Sequence, residues 1–127
     1  TVEYDLTTRP LVVKTTDAVL LQVFINLFDN SLYWLKTING ERKILISLDG
    51  NQQRMIFSDS GPGIKPDDTN YIFEAFYSGK GEEGRGLGLY ITKQLLDRYD
   101  HSINLAEFSR DRILNGANFV LEFVKEG

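Results

Sequence analysis

No cysteine occurs in the 127 residues. That absence excludes a disulfide framework and a thiolate metal site, and it is compatible with a reducing compartment. Histidine is scarce as well: His101 stands alone, beside Asp100 at the expected start of a strand, a context that reads as an exposed loop edge. Basic charge is in deficit, with 14 Lys and Arg against 18 Asp and Glu and a formal charge of −4. A general nucleic-acid binder carries a basic face, so that class is disfavoured. A nucleotide is a different case, because a few local donors can hold phosphates on an acidic protein. The longest strongly apolar segment, "AVLLQVFINLF", reads as too short and too polar to span a bilayer. The opening residues do not read as a signal peptide. There is no internal repeat, no low-complexity linker and no P-loop pattern GxxxxGK[ST].

What is present describes a soluble globular domain. Hydrophobic residues make up 42% and charged residues 25%, and the length suits one domain, 1–127, with a real core. With Thr1 at its head, the chain reads as a piece excised from a longer protein. "VEYDL" and "PLVVKT" have the look of short strands, the second opened by Pro10. Apolar residues at helical spacing (Leu20, Phe24, Leu27, Phe28, Leu35, Ile38) predict a helix over about 16–38, capped by Thr16 and stopped by Asn39-Gly40. "KILISL" and "QRMIFS" flank Asp49-Gly50-Asn51, a hairpin pattern. Some 25 residues after Asp59 then lose all period, as a functional loop or lid does. A second helix follows over about 87–99, with Ile91 and Leu95 on one face, and "SINLAEF" and "ANFVLEFV" close the chain as strands. The order implies an α+β sandwich: a mixed, mostly antiparallel sheet with helices layered on one face.

Four stretches could carry chemistry. In "NLFDNS", Asn26 and Asn30 lie one turn apart on the long helix. Asparagine is a poor interior helix residue, so the pair is either two amide oxygens for a hard cation such as Mg²⁺ or a phosphate, or a solvated polar stripe. In "DSGPG", Asp59 could accept a hydrogen bond from the exocyclic amine of adenine, where guanine would present a repelling oxygen. Gly61 and Gly63 would let backbone approach the base; the alternative is an Asx-type turn after a strand. In "YIFEAFYSGK", Phe73, Phe76 and Tyr77 could pin a lid or tuck a loop onto the core. In "GEEGRGLGLYI", Gly84, Gly86 and Gly88 lead into a helix N-terminus, either a phosphate cradle with Arg85 and Lys80 adding charge or a flexible entry. "GKGEEG" matches GxGxxG but lacks a preceding strand.

Taken in order, these stretches resemble the boxes of the Bergerat-fold (GHKL) ATPases, over nearly the whole chain. "QVFINLFDNS" is similar to the N box, "DSGPG" to the G1 box, "IFEAF" to the F box, "GRGLGLYI" to the G2 box and "GANFVLEF" to the terminal strand. Gyrase, chaperone and anti-sigma-factor kinase branches place a glutamate where Asn26 stands; histidine kinases commonly place asparagine. The resemblance therefore implies the catalytic, ATP-binding domain of a sensor histidine kinase, an enzyme of two-component signal transduction. It implies ATP and Mg²⁺ as cofactors. Asn30 would bind the metal, with Asn26 supporting it, and both serve catalysis. Asp59 would hold the adenine amine, while Gly61, Gly63 and Ile64 would shape the base pocket. Phe73 and Phe76 would anchor the lid. Lys80, Gly84, Arg85, Gly86, Leu87 and Gly88 would complete the ATP site. The implied partners are ATP or ADP, a histidine-bearing dimerisation domain of the same kinase and, indirectly, a response regulator. No nucleic acid and no direct membrane contact are implied, and the implied location is cytoplasmic, either free or as the cytosolic part of a membrane-bound sensor.

Two positions depart from the family pattern. The usual phosphate-reaching lysine three residues after the metal asparagine is Tyr33, and the aromatic position after it is Trp34, read here as core. Lys36 points elsewhere on the helix, which leaves Lys80 or Arg85 to supply the charge. Asn26 cannot take a proton, so little ATP hydrolysis is expected of the isolated domain. The alternative is a GHKL ATPase module outside two-component signalling that switches conformation with nucleotide state; a degenerate docking module would bind no nucleotide. Length and glycine content predict a mobile lid.

Overall fold

The computed structural model describes residues 1–6, 10–77 and 87–124, with the backbone alone at 4–6. Five strands form one sheet: β1 (Val2–Leu6), β2 (Ile44–Asp49), β3 (Arg54–Asp59), β4 (Ser102–Leu105) and β5 (Asn118–Glu122). Their spatial order is β1-β2-β3-β5-β4. β1 runs parallel to β2, and the other three pairings are antiparallel. Two helices, α1 (Asp17–Leu35) and α2 (Gly88–Asp97), pack together on one face. The mixed, mostly antiparallel two-layer sandwich is the expected architecture.

Alternation along the strands decides which side chains meet the helices. Paired positions put Ile46 with Phe57, Leu48 with Met55, Met55 with Leu121 and Phe57 with Phe119 on the helix face. Val23, Leu27 and Leu35 of α1 and Leu96 of α2 close that core, and the Phe28 and Phe57 rings meet edge to face at 5.0 Å. By length and composition α1 is apolar enough to cross a membrane, with a mean hydropathy of 1.2, contrary to expectation. In this fold it is the core helix of the sandwich. The opposite face of the sheet is not bare. Arg54 of β3 pairs with the buried Asp111 at 2.8 Å, so the 106–117 connection covers that side.

Local chemistry sets the element ends. Thr16 caps α1 as expected, its Oγ1 accepting from the Val19 N–H at 3.2 Å. The helix stops at Leu35, short of Asn39-Gly40. The Thr37 N–H and hydroxyl both donate to the Trp34 carbonyl, at 3.0 and 2.7 Å, which tightens the last turn before the glycine is reached. "PLVVKT" is not a strand: residues 10–14 join no ladder. Leu11 and Val13 still pack on the core while Val12 is exposed, so the alternation is real but the partner is a side chain, Gln53, donating to the Val12 carbonyl. In the β2–β3 hairpin, Asp49 Oδ1 accepts from the Asn51 and Gln52 N–H groups. α2 ends in a Schellman pair of bonds, His101 N–H to Leu96 and Asp100 N–H to Asp97, with Asp100 at φ 62°. Thr92 and Leu96 are its buried residues, while Leu95 packs half-buried on the core and Ile91 lines the cavity described below. β4 stops at Leu105, earlier than "SINLAEF" suggested.

His101 is a further correction. It is 2% exposed, not a loop-edge residue. Its Nδ1 accepts from the Val124 N–H at 3.1 Å, which places the ring proton on Nε2, 2.9 Å from the Lys14 carbonyl it bonds. The ring ties the 10–15 segment to the end of the sheet, stacked beside Tyr99 and edge-on to Phe123.

Candidate functional site

β3 ends in the site. Asp59 is the last residue of the strand, on the face that meets the helices, and is 2% exposed. A buried carboxylate needs donors, and three converge on this one. The Ser31 hydroxyl of α1 donates to Oδ2 at 2.7 Å, and the Gly61 and Ala117 N–H groups donate to Oδ1 at 3.0 and 3.1 Å. The turn after Asp59 is clamped to the start of β2, since Ser60 Oγ accepts from the Lys43 N–H and donates to the Glu41 carbonyl, both at 2.8 Å. Gly63 takes φ +80°, a conformation that side-chain-bearing residues rarely adopt.

Asp59 opens into a cavity of about 720 Å³, within the range of small-molecule sites. Its walls bring together seven of the residues singled out from the sequence: Asn26, Asn30, Asp59, Gly63, Ile64, Leu87 and Gly88. Gly61 sits just behind, where an added Cβ would lie 3.1 Å from Asp59 Oδ1 and 3.5 Å from the Trp34 Cβ. Asn30 is 7% exposed and lines the cavity. Asn26 is committed elsewhere: its Oδ1 accepts from Gln22 at 2.9 Å and its Nδ2 donates to Thr92 Oγ1 at 3.2 Å. Thr92 in turn donates to the Gly88 carbonyl at 2.9 Å, so this chain of bonds joins α1 to the first turn of α2.

Other expectations are redistributed. Trp34 is half-buried and lines the cavity rather than the core, because it lies one turn beyond Asn30 on the same side of α1. Its ring meets Tyr33 edge to face at 5.1 Å. Lys36 lies over the Tyr33 ring, away from the cavity walls. Phe73 packs on the core beside Phe119. Phe76 stands at φ 67° with its ring 78% exposed among the described residues, and residues 78–86 of the lid it was expected to anchor lie outside them. Tyr77 lines the cavity, with its hydroxyl donated to Asp68 and its ring tilted against Tyr71. That bond, with burial second, pushes the Tyr77 hydroxyl up to about 12. Lys80, Gly84, Arg85 and Gly86 lie outside the described residues.

Four contributors were missed in the sequence: Ser31, Lys65, Thr92 and Gly116. Lys65 is the cation among the described lining residues, which otherwise carry the carboxylates of Asp29, Asp59 and Asp68. Gly116 is the floor beneath Asp59: a Cβ there would sit 2.2 Å from Asp59 Oδ1. A glycine opening the terminal strand was visible in "GANFVLEF", but its contact was not.

An acidic cavity repels a polyphosphate unless a cation intervenes. Among the described residues no cluster of His, Asp or Glu could cage a metal alone. One amide oxygen from Asn30, with the remaining ligands from phosphate and water, fits the habit of Mg²⁺.

The profile of the histidine kinase-, DNA gyrase B- and HSP90-like ATPases matches residues 16–126. The signal transduction histidine-protein kinase/phosphatase MprB of Mycobacterium ulcerans is 33% identical over 93 residues, 71% of this chain and 18% of that protein. The chain thus spans about a fifth of the length of that relative. The nucleotide-free catalytic domain of the histidine kinase ThkA superposes with a TM-score of 0.73 at 25% identity, covering 94% of this chain and 76% of that one. The full-length ShkA structure in complex with AMPPNP superposes with a TM-score of 0.68 at 23% identity, covering 94% of this chain and 24% of that one. This chain belongs to the histidine kinase-, DNA gyrase B- and HSP90-like ATPase family, with the fold of a histidine kinase catalytic domain.

Proposed function

We propose that the domain binds ATP with Mg²⁺ and presents the γ-phosphate to a histidine on a separate helical dimerisation domain of a sensor kinase. A response regulator then receives the phosphoryl group. The reading places the domain in the cytoplasm, where ATP is.

One observation carries it: the buried Asp59 carboxylate, fixed by three protein donors, faces a cavity large enough for a nucleotide. It is positioned to accept the amine of adenine. Trp34, Gly63 and Ile64 line the cavity and would enclose the base, and Asn30, also in its wall, would hold the metal near the phosphates. Bound Mg²⁺ would supply the charge neutralisation that the acidic walls require. Phosphoryl transfer needs positioning and charge stabilisation more than protein covalent chemistry. The Asn26 amide, tied to Gln22 and Thr92, offers no base to activate water, which favours a partner histidine as acceptor over hydrolysis.

Calorimetric titration of the domain with a non-hydrolysable ATP analogue, with and without Mg²⁺, tests the reading. Binding is expected to need Mg²⁺ for full affinity and to weaken about tenfold or more in Asp59→Asn, about 1.4 kcal/mol. Absence of binding to the wild-type domain would overturn the proposal. Steady ATP hydrolysis by the domain, abolished by Asn26→Ala, would overturn the choice of acceptor.

A further inference from the structure

Asn118 is the first residue of β5, 5% exposed, and pairs with Ser58 on the sheet face turned away from the helices. It is not among the residues lining the cavity. Its amide is saturated by backbone alone. Oδ1 accepts from the Ile113 and Leu114 N–H groups at 3.0 and 3.2 Å, and Nδ2 donates to the Leu114 and Gly116 carbonyls at 2.8 and 3.1 Å. A side-chain amide has two donors and two acceptor positions, so the whole capacity of this one curls residues 113–116 into a fixed loop.

The other side of that loop presses on the nucleotide site. Gly116 N–H donates to the Asp59 carbonyl at 2.9 Å, and Ala117 N–H donates to Asp59 Oδ1 at 3.1 Å. Contact at Gly116 leaves no room for a methyl group. The Asn115 carbonyl and Gly116 also lie under Gly63, 3.7–3.8 Å from where its Cβ would be. Asn118 therefore reaches both the carboxylate and the glycine turn through one short segment of backbone.

We infer that Asn118 is a positioning residue for base recognition: it holds the 113–116 loop so that Asp59 presents its carboxylate in the orientation that reads adenine. The inference rests on the nucleotide-binding reading above. Losing the amide frees four backbone groups and lets the loop relax away from Asp59, so the carboxylate loses its orientation even though Asn118 touches no ligand.

The test compares ATP and GTP affinities by calorimetry for the wild type and Asn118→Ala, with folding of each sample verified by circular dichroism. The wild type is expected to prefer ATP, and the ATP-to-GTP preference should fall about tenfold in the variant, the equivalent of about 1.4 kcal/mol. A purely structural role would lower stability and leave the preference unchanged in the folded variant; that result overturns the inference. If Asn118→Ala does not fold, Asn118→Asp replaces it. That variant keeps both accepted bonds and sets a carboxylate against two carbonyls, and the same loss of preference is expected, with an unchanged preference again overturning the inference. A wild type that binds ATP and GTP alike, or neither, overturns the adenine reading itself and the inference with it.

Discussion

Ser31 on α1 and Asp59 at the end of β3 are joined by a 2.7 Å hydrogen bond across 28 residues of sequence, and both side chains are buried. Helix and sheet are thereby fastened at the point where the cavity begins. Ser31→Ala removes one donor from a buried carboxylate and is expected to cost about 1–3 kcal/mol of stability. Chemical denaturation of the variant measures it; a loss below a few tenths of a kcal/mol would show that the bond holds nothing together.

Trp34 is the sole tryptophan and lies in the cavity wall. Saturating ATP analogue should therefore change the intrinsic tryptophan emission, and Trp34→Phe should retain binding while abolishing the optical change. An emission spectrum insensitive to nucleotide, under conditions where calorimetry detects binding, would place the base away from this ring.

Lys65 is expected to contribute to triphosphate binding in the absence of the family's usual lysine at position 33. An exposed charge contact is worth up to about 1 kcal/mol, so Lys65→Gln should weaken ATP binding up to about fivefold and leave adenosine binding unaltered. Added salt should narrow the difference. Equal effects on ATP and adenosine would remove Lys65 from the phosphate end.

Tyr77 gives a pH signature. Its hydroxyl is raised from 10.0 to about 12, with the hydrogen bond to Asp68 the largest cause. The folded value lies above the unfolded one. The stabilisation is thus fully present below about pH 10 and is lost as pH rises through about 12. Tyrosinate absorbance, taken as the difference between wild type and Tyr77→Phe, should show this late titration, and Asp68→Asn should return it toward 10. A Tyr77 that ionises with ordinary tyrosines would mean the bond to Asp68 is not held in solution.

The sheet, both helices and the strand-end aspartate were legible because their chemistry is local: period, caps and glycine turns lie within a few residues of one another. Asn26 and Asn30 could be placed on one helix face from spacing alone. Ser31, Thr92 and Gly116 could not be assigned, because their partners stand 28, 66 and 57 residues away and only the fold brings them together. His101 and Trp34 failed in opposite directions. A histidine beside an aspartate looked wet, yet two distant backbone groups enclose it. A tryptophan on an apolar helix looked like core, yet it lines the cavity beside Asn30 and Asp59.

A carboxylate has about four acceptor positions. Ser31, Gly61 and Ala117 occupy three of those on Asp59, and one on Oδ2 is left. On the proposed nucleotide-binding reading, the site would work by counting. A purine that brings one hydrogen to that position completes the set. A purine that brings an oxygen opposes lone pair to lone pair, and one that brings a methyl leaves an acceptor dry. Selectivity of this kind is a matter of valence, and a bulkier or smaller pocket would not change its sign.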